Sequence, residues 1–176
     1  MILSGPSGVG KDTVIDAWAV KDPRVERVVA YTTRSPRPGE VHGRDYHFVP
    51  VDRFMEHAAA FDFLEYKEVH GNHYATPLSD LERLLDEGKI AVLKIDVQGA
   101  LTVMGLRSDA TSVFLMPPDV EELERRIRGR GTDDPEAIAK RLKNAQDEIA
   151  AAMRYDHQIV NDEVLNVVER LRVITS

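Results

Sequence analysis

Met1-Ile2-Leu3-Ser4-Gly5-Pro6-Ser7-Gly8-Val9-Gly10-Lys11-Asp12-Thr13 opens the chain, and its reading decides the fold. A short apolar run, Met1 to Leu3, leads into a loop with glycine at 5, 8 and 10. A helical pattern then begins with Val14, Ile15, Ala17 and Trp18. The segment reads as strand, loop and helix. Glycines let such a loop turn its N–H groups toward an anion, and the helix adds unpaired N–H groups and the positive end of its dipole. Lys11 supplies a mobile full charge for outer phosphates. The spacing Gly5-x-x-x-x-Gly10-Lys11 matches a triphosphate-binding loop, except that the usual Ser or Thr after the lysine is Asp12, with Thr13 one step later.

Outward from this loop, the global numbers bound the answer. A chain of 176 residues, 43% of them hydrophobic, is long enough for one domain with a real core. Thirty acidic against 23 basic side chains give a net charge of −7, which argues against nucleic acid or an anionic membrane surface as partner. With no cysteine, neither a disulfide nor a thiolate metal site is available. Polar loop chemistry from Ser4 onward argues against a signal peptide, and no apolar run approaches membrane-spanning length. A cytoplasmic protein is expected. The histidines show no metal-ligand spacing, and His70-x-x-His73 reads as turn chemistry.

Along the chain, the first helix is predicted over Lys11–Val20 and a strand over Val25–Tyr31. Thr32 to Glu40 is a rigid loop, because Pro36 and Pro38 fix the backbone on either side of Arg37. Its arginines suit a phosphate, or form a solvated basic turn. Tyr46 to Val49 and Phe63 to Val69 alternate as strands around a helix capped by Asp52. Gly71-Asn72 turns the chain into a return strand at His73-Tyr74-Ala75, so local signals describe a small antiparallel insert. Ser79-x-x-Glu82 reads as a capping box for a helix closed by Gly88. Ile90 to Ile95 is a strand ending in Asp96-Val97-Gln98-Gly99, and an Ala100–Met104 helix follows. Asp96 thus falls at a strand carboxyl end, where open α/β sheets bind ligands. Further strands are predicted at Thr111–Met116 and His157–Val160. Between them lie a helix over Val120–Arg128 and a second one capped by Asp134, with Ile138, Leu142, Ala145 and Ile149 as its apolar stripe. Arg126, Arg130 and Arg141 belong to this pair, which is either a movable cover or a helical hairpin with a solvated face. The alternation of strands and helices predicts a three-layer α/β fold with a parallel core sheet.

Taken together, these segments resemble the guanylate kinase family over nearly the whole chain. Gly5 to Lys11 is similar to its ATP loop, and Thr32 to Glu40 to its nucleotide-monophosphate loop. Asp45-Tyr46-His47-Phe48, Phe63-Leu64-Glu65-Tyr66, Gly71-Asn72-His73-Tyr74, Ile95 to Gly99, Arg128-Gly129-Arg130-Gly131-Thr132 and Val160-Asn161-Asp162 follow in the family's order. The resemblance implies a P-loop nucleoside-monophosphate-kinase-like fold that transfers the γ-phosphate of ATP to GMP with Mg²⁺. It also implies one domain: a core over about 1–31, 77–118 and 145–176, a small mixed GMP-binding insert over 32–76 and a lid over 119–144. By the same resemblance, Lys11, Arg34, Arg126, Arg130 and Arg141 are catalytic. Gly5, Pro6, Ser7, Gly8, Val9, Gly10, Lys11, Asp12, Thr13 and Asn161 bind ATP, with Asp12 and Thr13 nearest the metal. Arg34, Arg37, Tyr46 and Tyr74 hold the GMP phosphate, Glu65 and Thr76 read the base, and Asp96 completes that site. The chemistry is consistent: an ionised Glu65 accepts the adjacent N1–H and N2–H₂ donors of guanine, while adenine presents an unprotonated N1. Thr76 is expected to donate to O6. The partners implied are ATP and GMP, with a monomer or small homo-oligomer as the assembly.

Three departures from the family pattern stand out: Asp12 for a small or hydroxyl residue, Ala30 for a serine and Lys94 for an acidic residue. Two other functions fit parts of the sequence. A Gly-Lys-Asp loop also resembles the ribose 1,5-bisphosphate kinases, which have little use for the Glu65 and Thr76 pair. Non-catalytic guanylate-kinase-like binding modules typically lack the loop lysine or the cover arginines that this chain retains.

Overall fold

Ile2 and Leu3 are neighbours in β1 (Ile2–Ser4), both fully buried, yet they belong to different cores. Ile2 packs with Leu81, Leu84, Ala100, Val103 and Phe114, and Leu3 with Val14, Ile15, Trp18, Val113 and Leu171. Because strand side chains alternate between faces, two apolar clusters mean that helices cover both sides of the sheet. The computed structural model, which describes residues 1–69, 71–128 and 135–176, shows this arrangement. The sheet is parallel throughout, in the order β2 (Val25–Arg27), β7 (Ile90–Lys94), β1, β8 (Ser112–Met116), β9 (His157–Val160).

On one face lie α1 (Lys11–Lys21) and α7 (Val164–Ile174), joined through Trp18, Val167, Val168 and Leu171. Trp18 is 0% exposed, and the described residues offer its indole N–H no partner. That omission costs about 1–3 kcal/mol. Burying an aromatic ring of about 150–250 Å² contributes roughly 4–6 kcal/mol at ~25 cal/mol per Å², so the packing wins. On the other face lie α3 (Leu78–Asp86) and α4 (Val97–Leu106). A helix pair, α5 (Val120–Arg128) and α6 (Pro135–Ala150), closes on its own small core of Leu123, Ile127 and Ala145. Among the described residues, no helix is long and apolar enough to cross a membrane.

The second sheet is built by β3 (Tyr31–Thr32), β4 (His47–Phe48), β5 (Phe63–Val69) and β6 (Asn72–Pro77), with α2 (Val51–Ala59) beside it, in the order β4-β3-β6-β5. It is mixed, as the family resemblance implies, and not wholly antiparallel as the local signals read, since β3 and β4 run parallel while β3–β6 and β5–β6 are antiparallel. The strand expected over 25–31 is two strands in different sheets: β2 pairs with β7, and β3 pairs with β4 and β6. The run Val25-Glu26-Arg27-Val28-Val29-Ala30-Tyr31 carries no glycine or proline to mark where its hydrogen-bonding partner changes. The two predicted side-chain caps are also absent. Pro50 and Pro77 occupy the N-cap positions with extended backbones, so Asp52 and Ser79 fall inside their helices. Proline's fixed φ suits such a boundary, and the helix follows at once. The cap expected at Asp134, and His70 in the turn before β6, lie outside the described residues.

Candidate active site

The glycine loop leaves β1 between the carboxyl ends of its neighbours, and two of its residues tolerate no side chain. A Cβ on Gly5 (φ +149°) would lie 2.6 Å from the Leu115 carbonyl oxygen, and one on Gly10 (φ +100°) would lie 2.8 Å from Asn161 Nδ2. Asn161, only 4% exposed, donates from that Nδ2 to the Val9 carbonyl at 2.7 Å, and Arg126 Nη1 reaches the same carbonyl at 3.3 Å. Lys11 folds back along the loop, donating to the carbonyls of Gly5 at 2.6 Å and Pro6 at 3.2 Å. A Gly10→Ala variant therefore strains a left-handed position and displaces the Asn161 bond. It is expected to lose about 1–3 kcal/mol of unfolding free energy in urea titration.

Across the cavity, Arg34 is held by a two-pronged bond to Glu40, with both contacts at 2.9 Å, and its guanidinium stands 5.5 Å from the Tyr46 ring centre. Tyr46 and Tyr74 face each other edge-on at 6.0 Å. Glu40 also accepts from the Arg37 N–H at 2.7 Å, so one carboxylate closes the loop between two prolines. Glu65 and Thr76, eleven positions apart, are direct partners across the β5–β6 ladder, and a register irregularity between Phe63 and Glu65 precedes the glutamate. Such an irregularity re-aims the side chain that follows it. Thr76 Oγ1 donates to Glu65 Oε1 at 2.7 Å.

Asp96 caps α4 by accepting from Gly99 N–H at 2.8 Å. A Cβ on Gly99 would sit 3.1 Å from both Asp96 Oδ1 and Glu65 Oε2, so this glycine lets the two carboxylates approach. Burial, with a contribution from Asp96, pushes the Glu65 carboxyl above the usual carboxylate range despite the Thr76 bond.

These two regions line one cavity of about 730 Å³. Of the expected site residues, Gly5, Ser7, Gly8, Gly10, Lys11, Asp12, Thr13 and Asn161 line its loop side, with Arg126 and Arg141 beside them. Arg34, Arg37, Tyr46, Glu65, Tyr74 and Asp96 line the remainder. Pro6 and Val9 are buried behind the wall and serve through their carbonyls. Thr76 is also behind the wall, 1% exposed. Its hydroxyl, expected to donate to the base, here donates to Glu65 Oε1 at 2.7 Å. Arg130 lies outside the described residues.

Several wall residues escaped sequence reasoning. Asn144 and Glu148 stand with Arg141 on α6 at helical spacing, in a polar stripe adjoining the apolar one. That spacing was the available signal. Burial and then Asp96 hold the Glu148 carboxyl above its ordinary range, against the pull of Lys11 and the Ser7 N–H. Asp12 and Lys94, two of the departures in sequence, touch each other: Lys94 Nζ donates to Asp12 Oδ1 at 2.6 Å, and Arg27 Nη1 donates to the same oxygen at 2.8 Å. Burial alone would raise the Asp12 carboxyl, but Lys94, Arg27 and Lys11 outweigh it and hold it below the usual range.

A parallel sheet with a glycine loop and lysine at the end of a central strand, opening on a cavity rich in cations, defines a P-loop kinase. A solved shikimate kinase from Bacteroides thetaiotaomicron shares this fold, with a TM-score of 0.51 and 18% identity over 99% of this chain and 96% of that one. The sequence profile described as Guanylate kinase matches residues 1–176. The curated guanylate kinase of Lactobacillus johnsonii is 49% identical over 99% of this chain and 86% of its own length, and that of Nitratidesulfovibrio vulgaris 48% over 98% and 83%. The crystal structure of guanylate kinase from Anaplasma phagocytophilum superposes with a TM-score of 0.80 at 34% identity, covering 99% of this chain and 82% of that chain. The chain belongs to the guanylate kinase family.

Proposed function

We propose that this protein transfers the γ-phosphate of ATP to GMP, giving ADP and GDP. The observation that carries the reading is the single cavity with Lys11 and the glycine loop on one side and the Glu65 carboxylate on another. In the step itself, an oxygen of the GMP phosphate forms a bond to the γ-phosphorus. The bond from that phosphorus to the β,γ-bridging oxygen breaks, and its electron pair leaves with ADP. No covalent enzyme intermediate is needed, so catalysis rests on positioning and on neutralising charge over the γ-phosphate oxygens. Lys11, the loop amides, Arg126 and Arg141 act on the donor side, and Arg34, Arg37, Tyr46 and Tyr74 hold the acceptor phosphate. Glu65, oriented by Thr76, reads guanine. Residues 32–76 serve as the GMP-binding insert and 119–144 as a lid over the core, whose closure excludes water and limits ATP hydrolysis. Purine nucleotide metabolism in the cytoplasm is the setting this reading implies.

Mg²⁺ fits the loop wall as an ion that arrives with the triphosphate. Among the described residues, no group of three or more His, Asp or Glu side chains could hold an ion, whereas Asp12 and Thr13 face the cavity. Both bonds to Asp12 fall on Oδ1, which leaves Oδ2 for a water or the metal. Mg²⁺ keeps several waters and needs only one or two protein oxygens besides the phosphates; when bound, it supplies neutralisation of the β- and γ-phosphate oxygens. The test is ADP formation from Mg-ATP with GMP, dGMP, AMP, UMP and ribose 1,5-bisphosphate as separate acceptors. Strong turnover with GMP and little with AMP is expected. Turnover with the sugar phosphate alone, or with none of the five, overturns the assignment.

A further inference from the structure

Lys94 sits at the carboxyl end of β7 with its side chain 12% exposed, facing the cavity. Its Nζ lies 2.6 Å from Asp12, in the first turn after the glycine loop, and 5.0 Å from the ring centre of Tyr46, the residue beside Arg34. It therefore stands between the loop that takes the donor and the tyrosine that faces the acceptor phosphate.

We propose that Lys94 is a catalytic residue of this chain, a cation that Asp12 holds between the two nucleotide subsites and releases to the acceptor phosphate. The inference rests on the reading of ATP and GMP as substrates. Its physical basis is the charge balance at Asp12. One carboxylate oxygen accepts from two cations, Lys94 and Arg27, so the triad carries surplus positive charge at the cavity wall. Arg27 is itself fixed by a second bond, to the Arg44 carbonyl, and is 15% exposed. When a phosphate dianion draws Lys94 away, Arg27 still pairs with Asp12, whose side chain is 60% exposed, so the exchange leaves no unpaired carboxylate. A lysine on a flexible four-carbon stem can make that short move, and its ammonium forms a charge-assisted bond to a phosphate oxygen. Arg27 thereby acts as a positioning residue.

The roles separate in binding measurements that need neither ATP nor metal. Calorimetric titration of GMP alone is to be run on the unaltered chain, the Lys94→Met variant and the Asp12→Asn variant, each checked for a cooperative melt. Lys94→Gln repeats the measurement with a polar side chain. Loss of one charge-assisted phosphate bond is expected to weaken GMP binding about 10–100-fold in both Lys94 variants. Asp12→Asn is expected to bind GMP as tightly as the unaltered chain or tighter, because it no longer competes for Lys94. Lys94→Arg is expected to recover part of the lost affinity. If the pair only braced α1 against β7, removing either partner would act in the same direction. Weaker binding by the Lys94 variants together with equal or tighter binding by Asp12→Asn supports the proposal, and any other pairing overturns it. Failure of the unaltered chain to bind or phosphorylate GMP would instead overturn the substrate reading.

Discussion

Replacing Lys11 with methionine is expected to lower kcat/KM for phosphoryl transfer by roughly 10³-fold, the upper range for removing one preorganised donor from developing negative charge. Lys11 Nζ already donates to the Gly5 and Pro6 carbonyls, so it lies along the loop before any phosphate arrives. Those two bonds are local to a loop held independently by Asn161 at Val9 and by the buried β1. The variant should therefore fold and melt close to the unaltered protein. Steady-state kinetics with Mg-ATP and GMP, paired with a thermal melt, checks both halves. A variant that retains activity within a few-fold would remove Lys11 from the chemistry.

Replacing Glu65 with glutamine should be nearly as damaging to activity, yet favourable to stability. The carboxylate is 8% exposed and its pKa is raised, first by burial and then by Asp96. A carboxyl whose folded pKa lies above its unfolded value contributes stability below the unfolded pKa and loses it as pH rises through the folded one. At pH 8 the unaltered protein thus bears the cost of a buried charge that glutamine removes, while the glutamine oxygen can still accept from Thr76. Glu65→Gln is expected to melt higher at pH 8. Its kcat/KM for GMP is expected to fall about 10²–10⁴-fold, the loss of up to two charge-assisted bonds. The same sign governs the unaltered protein: as pH falls through the raised pKa of Glu65, the reader becomes neutral and KM for GMP rises at a higher pH than an ordinary glutamate would dictate. A KM profile flat down to the ordinary glutamate range, or a Glu65→Gln variant with full GMP activity, would remove Glu65 from base recognition.

The contrast between these two residues shows how the site was legible. Lys11 could be read because everything that defines it lies within a dozen residues: strand, glycines, lysine, helix. Glu65 and Thr76 could be named from the family pattern, but not their relation. Thr76 faces Glu65 rather than the cavity because β5 and β6 pair those positions directly. Asp96 looked like a ligand-contacting residue at a strand end and also caps α4, a role that depends on Gly99 three residues later.

By itself, the sequence determined the strand-loop-helix start, the parallel α/β alternation, most of the helices and the kinase family, because these follow from periodicity, glycine placement and motifs within short windows. Only the tertiary structure decided where the 25–31 run changes sheets, that β3 and β4 are the parallel pair of the second sheet, that prolines rather than Asp52 and Ser79 precede their helices, and that Asn144 and Glu148 face the cavity. It also decided the meaning of Asp12 and Lys94. Eighty-two positions apart, Lys94 reads alone as an unexplained charge and Asp12 as a carboxylate near the metal. Charges interact through space over a few ångströms, not along the chain, so their pairing could be seen only once β1 and β7 lay side by side in the sheet.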